Sequence, residues 1–301
     1  MRVAAIDCGT NSIRLLIADV ADGKITDIAR RMEIVRLGEG VDRTGRLSDA
    51  ALARTKKALQ VYAAEVAELG IDRVRMCATS ASRDASNAAD FRTMVRGVLG
   101  LDPEVITGDE EARLSFAGAV AGLAAEPPFL IFDIGGGSTE FVTGADGVEH
   151  AISMDIGCVR MTERHLHSDP PTAAEIAAAT RDITEAVDTA LAAVPGRDAN
   201  TLVGLAGTVT TVTALAQGLP SYDPARIHHA RVSREAVAKL TDELLAMTTA
   251  ERLALPVMHP GRADVIGGGA LILKIIMERS GQDAVIASEH DILDGIAFSL
   301  A

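Results

Sequence analysis

The chain contains no tryptophan, and its aromatic residues make up only 3% of 301 residues. So few rings for stacking bases argue against binding of single-stranded nucleic acid. Basic residues are also in the minority, 29 against 42 acidic ones, which gives a formal net charge of −13. A field of that sign repels nucleic acids and anionic lipid surfaces. We therefore expect neither as a partner, and an anionic ligand has to be bound by local groups.

Cysteines and long apolar segments are equally scarce. Cys8, Cys77 and Cys158 are widely spaced among apolar neighbours, which indicates neither a disulfide framework nor a thiolate zinc site. We predict that all three are buried as small hydrophobic residues. No apolar run reaches the ~20 residues of a membrane-spanning helix, and the opening MRVAAIDCGT lacks the layout of a signal peptide. A cytoplasmic location is therefore expected.

What the sequence does contain is the pattern of an ordered α/β protein. Its length exceeds what one hydrophobic core usually organises, so two domains are predicted. Hydrophobic residues make up 48% and charged residues 24% of the chain, a balance that is typical of globular proteins. Three apolar runs separated by turns predict an opening three-stranded meander, and strands and helices alternate after it. The strands are RVAAID, IRLLIADV and ITDIARRMEIVR.

The opening pattern occurs a second time. The segment FLIFDIGGGSTEFVTGADGVEHAISM again reads strand, glycine-rich turn, strand, turn, strand. Asp133 aligns with Asp7 and Ser138 with Ser12, at an offset of 126 residues. An internal duplication explains this match, and it predicts two similar domains that face each other. The predicted first domain comprises residues 1–124 and about 288–301, and the second comprises 125–287.

In each copy, a buried strand ends in an aspartate that is followed by small residues. Glycine and serine let backbone N–H groups approach an anion closely, and a carboxylate can hold a divalent cation, a pairing that suits phosphate. The first loop offers Asp7, Gly9, Thr10, Asn11 and Ser12, followed by Arg14. The second offers Asp133, Gly135, Gly136, Gly137, Ser138 and Thr139, followed by Glu140. For either loop alone, the alternative is a tight β-turn that uses glycine only for its backbone freedom.

Two further segments carry candidate side chains. TSASRDASN places Ser80 and Arg83 at the end of another strand, where open α/β sheets hold ligand-binding residues. Arg83 is either a bidentate phosphate ligand or a surface arginine beside Asp84. ITGDEEARLSF begins a helix with three acids, which by themselves indicate only favourable charge at a helix N-terminus. Beside a phosphate site, one such carboxylate is also suited to take a proton from water.

Seven segments together resemble the Ppx/GppA phosphatase family, and they occur in order along nearly the whole chain. They are AAIDCGTNSIRLLI, ATSASRDASN, ITGDEEARLSF, FDIGGGSTEF, DIGCVRMTE, GLAGTVTTVTAL and RADVIGGGALIL. The chain is most similar to the short, two-domain exopolyphosphatases of actinobacteria. This resemblance implies the duplicated actin-like fold of sugar kinases, heat-shock protein 70 and actin, a ribonuclease H-like α/β architecture with an interdomain cleft. It also implies metal-dependent hydrolysis of the terminal phosphate of inorganic polyphosphate, preferentially of short chains, by a homodimer.

The resemblance also implies roles for individual residues. Glu111 corresponds to the general base, and Asp7, Asp133 and Glu140 correspond to ligands of Mg²⁺ or Mn²⁺. Phosphate contacts fall on Thr10, Asn11, Ser12, Arg83, Gly136, Gly137, Ser138 and Thr139. From their positions beside the first loop and at a strand end, we expect Arg14 and Ser80 to contact phosphate as well. Other activities left open are hydrolysis of guanosine pentaphosphate, binding of polyphosphate or a nucleotide by a catalytically silent sensor, and phosphate transfer by a kinase. Guanosine pentaphosphate, guanosine tetraphosphate and other nucleotides are further candidate ligands. Gly267 and Gly268 depart from the family pattern, so the sequence leaves the role of that turn open.

Overall fold

Two mixed β-sheets organise the chain in a computed structural model that describes residues 1–301. Each sheet belongs to one of two units. Unit 1 comprises Met1–Gly118 and Asp291–Ala301, and unit 2 comprises Ala119–His290. None of the helices has the length and apolar character that crossing a bilayer requires.

Unit 1 alternates strands and helices after an opening meander. Its strands are β1 (Arg2–Cys8), β2 (Ser12–Ala21), β3 (Lys24–Ile34), β4 (Arg73–Ala78) and β5 (Glu104–Val105). Its helices are α1 (Val41–Thr44), α2 (Asp49–Glu68), α3 (Ser80–Asp84), α4 (Ala88–Leu99), α5 (Gly108–Val120) and the last helix of the chain, α13 (Ile292–Phe298). The final two residues of α5 belong to unit 2.

Unit 2 repeats this scheme with a longer helical part. Its strands are β6 (Phe129–Ile134), β7 (Thr139–Gly144), β8 (Val148–Met154), β9 (Thr201–Leu205), β10 (Arg231–Ser233) and β11 (Ala284–Ala287). Its helices are α6 (Cys158–His165), α7 (Ala173–Ala193), α8 (Ala206–Ala216), α9 (Pro224–Ile227), α10 (Arg234–Ala246), α11 (Thr249–Leu253) and α12 (Ile266–Ser280).

The two sheets have the same core topology, which confirms the predicted duplicated actin-like α/β fold. The first sheet has the order β3-β2-β1-β4-β5, and the second has the order β10-β11-β9-β6-β7-β8. In both, the first strand pairs antiparallel with the second and parallel with the fourth. Strand β10 is an addition at the edge of the second sheet. The duplicated meanders therefore occupy equivalent positions in their sheets.

Strand β1 is covered on both faces, which explains why it reads as a continuous apolar run. Ala4 and Ile6 pack in the cluster formed with α2 and α4, whereas Val3 and Ala5 pack in a second cluster. Helix α13 supplies four buried residues of that second cluster. The last helix of the chain is therefore part of the packing around the first strand.

In unit 2, the glycine-rich start of α12 serves helix packing. A Cβ on Gly268 would lie 2.7 Å from the Thr162 hydroxyl, and one on Gly269 would lie 2.4 Å from the Thr208 hydroxyl. Both distances are shorter than a van der Waals contact, so α12 approaches α6 and α8 as closely as it does because these positions lack a side chain. This accounts for Gly268, one of the two glycines whose role the sequence left open.

Most element boundaries follow from local chemistry. Ser48 caps α2, its hydroxyl accepting the Ala51 N–H at 3.1 Å, and Thr172 closes a capping box at the start of α7. Helix α5 ends at Val120, and Gly122 in the left-handed conformation follows it. Helices α1, α3, α6, α9 and α11 were not predicted, because segments of four to eight residues carry too little periodicity.

Candidate functional site

The first hairpin loop, Gly9–Ser12, closes between β1 and β2 with a hydrogen bond of 2.9 Å from the Gly9 N–H to the Ser12 carbonyl oxygen. The segment after β3 braces this loop. The Gly38 N–H donates to the carbonyl oxygen of Thr10 at 2.9 Å. The N–H groups of Val35 and Arg36 both donate to the carbonyl oxygen of Asn11, at 3.0 and 2.9 Å.

The second hairpin loop, Gly135–Ser138, repeats this construction between β6 and β7. Its closing hydrogen bond joins the Gly135 N–H to the Ser138 carbonyl oxygen at 3.0 Å. Here the bracing groups come from the first turn of α6. The carbonyl oxygens of Gly135 and Gly136 accept backbone N–H groups of residues 158–160, and the Arg160 Nε donates to the carbonyl oxygen of Gly137 at 2.6 Å.

These braced carbonyls determine where the loop N–H groups point. In a trans peptide unit, the C=O and the N–H of the next residue point in opposite directions. The bonded carbonyls therefore direct the N–H groups of Asn11 and Ser12, and those of residues 136–138, to the far side of each loop. Successive N–H groups on one side of a tight turn form a concave anion-binding surface. Both loops thus have the backbone geometry that phosphate binding requires.

Asp7, at the end of β1, forms a buried ion cluster with two other residues. It lies opposite Arg14 in the β1–β2 ladder, and Arg14 donates to its Oδ2 from Nε at 3.0 Å and from Nη2 at 2.7 Å. The Arg14 Nη1 donates to Oδ2 of Asp291, the N-cap residue of α13. Oδ1 of Asp7 is buried and accepts no hydrogen bond in the chain.

The charges in this cluster do not balance, since one guanidinium serves two carboxylates. Burial raises the pKa of Asp7, Arg14 opposes this shift, and the charge of Asp291 adds to it. Burial acts to lower the pKa of Arg14, but Asp291 and Asp7 together raise it well above its ordinary value. Arg14 is therefore a fixed cation whose three donor nitrogens bond to carboxylates inside unit 1. This favours a role in holding Asp7 over the phosphate contact predicted for Arg14.

In unit 2, the cross-strand pair at the same position consists of two acidic residues instead of an aspartate and an arginine. Glu140 lies opposite Asp133 in the β6–β7 ladder, at the position that Arg14 has opposite Asp7. Side chains directly opposite each other in a ladder lie on one face within about 5.5 Å, where like charges are unfavourable. The third strand adds Ser153, whose hydroxyl donates to the Glu140 Oε1 at 2.7 Å. This buried carboxylate pair is suited to a divalent cation.

Helix α3 connects the first hairpin loop to Glu111 within unit 1. The hydroxyls of Ser80 and Thr10 share a buried hydrogen bond of 2.8 Å. Three residues further along α3, the Arg83 Nη1 donates to the Ile106 carbonyl oxygen at 2.9 Å and to the Glu111 Oε2 at 3.3 Å. The structure therefore brings Thr10, Ser80, Arg83 and Glu111 into one continuous series of contacts.

Glu110 and Glu111 differ sharply although they are neighbours in the first turn of α5. The Glu111 side chain is 11% exposed and faces Arg83. The Glu110 side chain is 44% exposed and accepts the Arg75 Nη2 at 2.7 Å. Because Arg75 is also bonded to Glu104, Glu110 belongs to an ion-pair network at the surface. The geometry therefore distinguishes Glu111 from the neighbouring acids.

Thr139, for which a phosphate contact is predicted, is fully buried, and its hydroxyl donates to the carbonyl oxygen of Ile156. Arg160, Ser153 and Asp291 were not singled out as site residues. DIGCVRMTE, which contains Arg160, was quoted only as part of a family pattern, and nothing local marks the other two.

All three cysteines are buried, as predicted, and burial raises the pKa of Cys77 to about 12 and that of Cys158 to about 11. No group of three or more His, Cys, Asp or Glu side chains lies close enough to form a metal site.

The chain is similar to known proteins along nearly its whole length. The sequence pattern of the Ppx/GppA phosphatase family matches residues 16–301. Over 314 aligned residues the chain is 54% identical to Exopolyphosphatase 2 of Mycobacterium tuberculosis, covering 100% of this chain and 98% of that protein. A crystal structure of an exopolyphosphatase-like protein superimposes with a TM-score of 0.97 at 43% identity, covering 100% of this chain and 97% of the other. A family member from Aquifex aeolicus gives 0.85 at 34% identity, again over 100% and 97%.

Proposed function

The chain belongs to the Ppx/GppA phosphatase family, and from this membership we propose that it is an exopolyphosphatase that hydrolyses the terminal phosphoanhydride bond of inorganic polyphosphate. The full-length similarity to Exopolyphosphatase 2 supports the substrate. One structural observation supports the chemistry most strongly. Two hairpin loops of the same construction each direct backbone N–H groups to one side of the loop, and each follows a strand whose penultimate residue is a buried aspartate.

Substrate binding then depends mainly on backbone groups. In unit 1, the N–H groups of Asn11 and Ser12 would bind oxygens of a phosphoryl group, and Arg83 would add a charged donor. In unit 2, Gly136, Gly137 and Ser138 would do the same. Because the chain carries a net charge of −13, these short-range donors have to offset an unfavourable long-range field. Backbone amides suit this task, since they carry no ionisable group and cannot rotate away.

The carboxylates fit a divalent cation. The buried Oδ1 of Asp7 lacks a donor, and Asp133 and Glu140 form a cross-strand pair that a cation would stabilise. Oxygen ligands of this kind suit Mg²⁺ or Mn²⁺, and Mg²⁺ is usually held by one or two carboxylates together with substrate phosphates. When bound, the ion would neutralise charge on the phosphoryl oxygens.

Glu111 would act as the general base. It accepts a proton from water while the water oxygen attacks the terminal phosphorus, and the bond from phosphorus to the bridging oxygen breaks. The shortened chain leaves with that oxygen, so orthophosphate and a chain one unit shorter are formed. Arg83 holds Oε2 of Glu111 and so fixes the orientation of the carboxylate. Positioning and charge neutralisation are the main contributions that a protein makes to phosphoryl transfer.

The pair Glu111→Gln and Glu110→Gln tests this assignment. Loss of a general base lowers turnover by about 10²–10⁴, so Glu111→Gln should reduce kcat by that factor while KM changes little. Glu110→Gln removes an equal charge from the same helical turn but breaks only a surface ion pair. It should therefore leave kcat close to wild type. Equal effects of the two substitutions on phosphate release from tripolyphosphate would exclude Glu111 as the base.

A single assay separates the alternative substrates. Phosphate release is measured with polyphosphates of increasing length and with guanosine pentaphosphate, each with Mg²⁺, with Mn²⁺ and with a chelator. An exopolyphosphatase that prefers short chains shows the highest kcat/KM at the short end and no release with the chelator. Faster release from the nucleotide would instead identify a guanosine pentaphosphate phosphohydrolase. Binding without release would identify a sensor.

The homodimer and the cytoplasmic location remain predictions. Sedimentation of the purified chain would measure its oligomeric state. Fractionation of cells that produce it would measure its location.

A further inference from the structure

We propose that Asp291, the N-cap residue of the last helix, is a positioning residue for Asp7 and acts through Arg14. The inference rests on the proposed function, because it gives Asp7 a role in holding a cation beside the phosphate. It concerns a residue 277 positions away from Arg14 in the sequence. No motif singled out in the sequence contains Asp291.

The contacts of Asp291 divide its carboxylate between two tasks. Oδ1 accepts the Leu293 N–H at 3.0 Å and so caps α13. Oδ2 accepts Nη1 of Arg14. Asp291 is 3% exposed and Asp7 is 4% exposed, so both carboxylates interact with Arg14 where water screens little. The N-cap of α13 is therefore joined to Asp7 by one shared guanidinium.

Because Arg14 bonds to both Asp7 and Asp291, it does not neutralise the charge of Asp7 fully. Arg14 alone with Asp7 would form a neutral pair, which has little attraction for a cation. With Asp291, the three groups carry a net charge of −1, while Arg14 still fixes Oδ2 of Asp7 with two donors. The remaining oxygen, Oδ1, lacks a hydrogen-bond donor in the chain. Asp291 thus leaves part of the charge of Asp7 available for a cation and keeps its geometry rigid.

The position of Asp291 is itself fixed by the packing of its backbone. A Cβ on Gly118 in α5 would lie 1.9 Å from the Asp291 carbonyl oxygen, so the two segments are in direct contact. The Asp291 N–H donates to Oδ2 of Asp294 at 3.0 Å. Asp291 is therefore held against α5, the helix that carries Glu111. Unit 2 has no equivalent device, because Glu140 replaces the arginine.

The test uses Asp291→Asn together with a matched control on the same helix. Asparagine caps helices as well as aspartate, so this variant keeps the cap and removes only the charge. Asp294→Asn is the control. Asp294 is equally buried and pairs with Arg30, whose side-chain hydrogen bonds go to Asp27 and Asp294, and asparagine keeps a side-chain oxygen that can accept the Asp291 N–H. Asp7→Asn and the double variant Asp7→Asn/Asp291→Asn complete a mutant cycle. Mn²⁺ binding is measured by electron paramagnetic resonance without polyphosphate, and kcat/KM is measured with tripolyphosphate.

We expect Asp291→Asn to weaken Mn²⁺ binding about 10-fold, as removal of groups that support metal ligands does. Asp294→Asn should leave Mn²⁺ binding unchanged. In the Asp7→Asn background, Asp291→Asn should have no further effect on Mn²⁺ binding or on kcat/KM. Unchanged Mn²⁺ binding in Asp291→Asn, or additive effects in the double variant, would overturn the proposal. A wild-type chain that fails to release phosphate but shows the expected cycle for Mn²⁺ would overturn the proposed function alone.

Discussion

Two helical glycines of unit 1 give a direct test of how the last helix packs. Gly118 lies in α5, and an added Cβ would be 1.9 Å from the Asp291 carbonyl oxygen and 2.8 Å from its carbonyl carbon. Gly97 lies in α4, and nothing lies within 4 Å of its added Cβ. Alanine is a better helix former than glycine at either position. The two substitutions should therefore change stability in opposite directions.

The size of each change follows from the contacts. Gly97→Ala should stabilise the protein by about 0.5–1 kcal/mol, because alanine restricts the unfolded chain and meets no obstacle. Gly118→Ala gains the same preference but forces backbone segments apart by more than an ångström. Overpacking of this kind costs about 3 kcal/mol, so a net loss of about 2 kcal/mol is expected once the helix preference of alanine is subtracted.

Thermal unfolding followed by circular dichroism measures both variants. At about 3 °C per kcal/mol for a unit of this size, Tm should fall by about 6 °C in Gly118→Ala and rise by about 2 °C in Gly97→Ala. Because the contact also holds Asp291, the first variant should in addition lower kcat/KM for tripolyphosphate. A Gly118→Ala protein as stable as Gly97→Ala would show that α13 does not lie against α5 as described.

Three further measurements test other parts of the structure. The carboxylate of Glu175 accepts backbone and hydroxyl hydrogen bonds that lower its pKa from 4.5 to about 2. The stability that these bonds contribute to the folded protein is therefore complete above pH 4.5 and is lost as the pH falls toward 2. The stability advantage of wild type over Glu175→Gln in urea titrations should shrink over that interval, and a constant advantage would contradict the assignment. Cys8, Cys77 and Cys158 are buried and burial raises their pKa, so the native protein should not react with a thiol reagent at pH 8, whereas the urea-unfolded chain should react at all three. Tyr62→Phe should cost about 1–2 kcal/mol, because the buried hydroxyl donates to a carbonyl oxygen of β2 at 3.0 Å; an unchanged unfolding midpoint would exclude that bond.

Much of the fold could be predicted from the sequence because its signals are local. Strand β1 alternates between two buried clusters and therefore reads as an apolar run, and the cap residues Ser48 and Thr172 mark helix starts by their own side chains. The duplication was visible because Asp7 and Asp133 precede the same kind of turn. Short helices such as α3 were missed, since fewer than two turns leave no periodic pattern.

The candidate site was predictable only in part. The sequence proposed the hairpin loops and Glu111 as candidates, and it proposed a phosphate contact for Arg14, whose donors the structure places on Asp7 and Asp291. The equal spacing from Asp7 to Arg14 and from Asp133 to Glu140 places each pair across a ladder. That spacing cannot show what else contacts the second member of a pair. Only the folded unit brings Asp291 to Arg14 and Arg83 to Glu111.

The sequence by itself determined where the two glycine-rich turns lie, because a strand, an aspartate and small residues are contiguous and their backbone geometry is local. Tertiary structure decided which charged partners the side chains beside these turns have and how those side chains are oriented. A carboxylate near the C-terminus reaches an arginine in the second strand, and the glycines near 268 serve the close approach of helices. Such pairings depend on packing between segments that are distant in the sequence. The distance between two packed segments cannot be predicted from the spacing of residues along the chain.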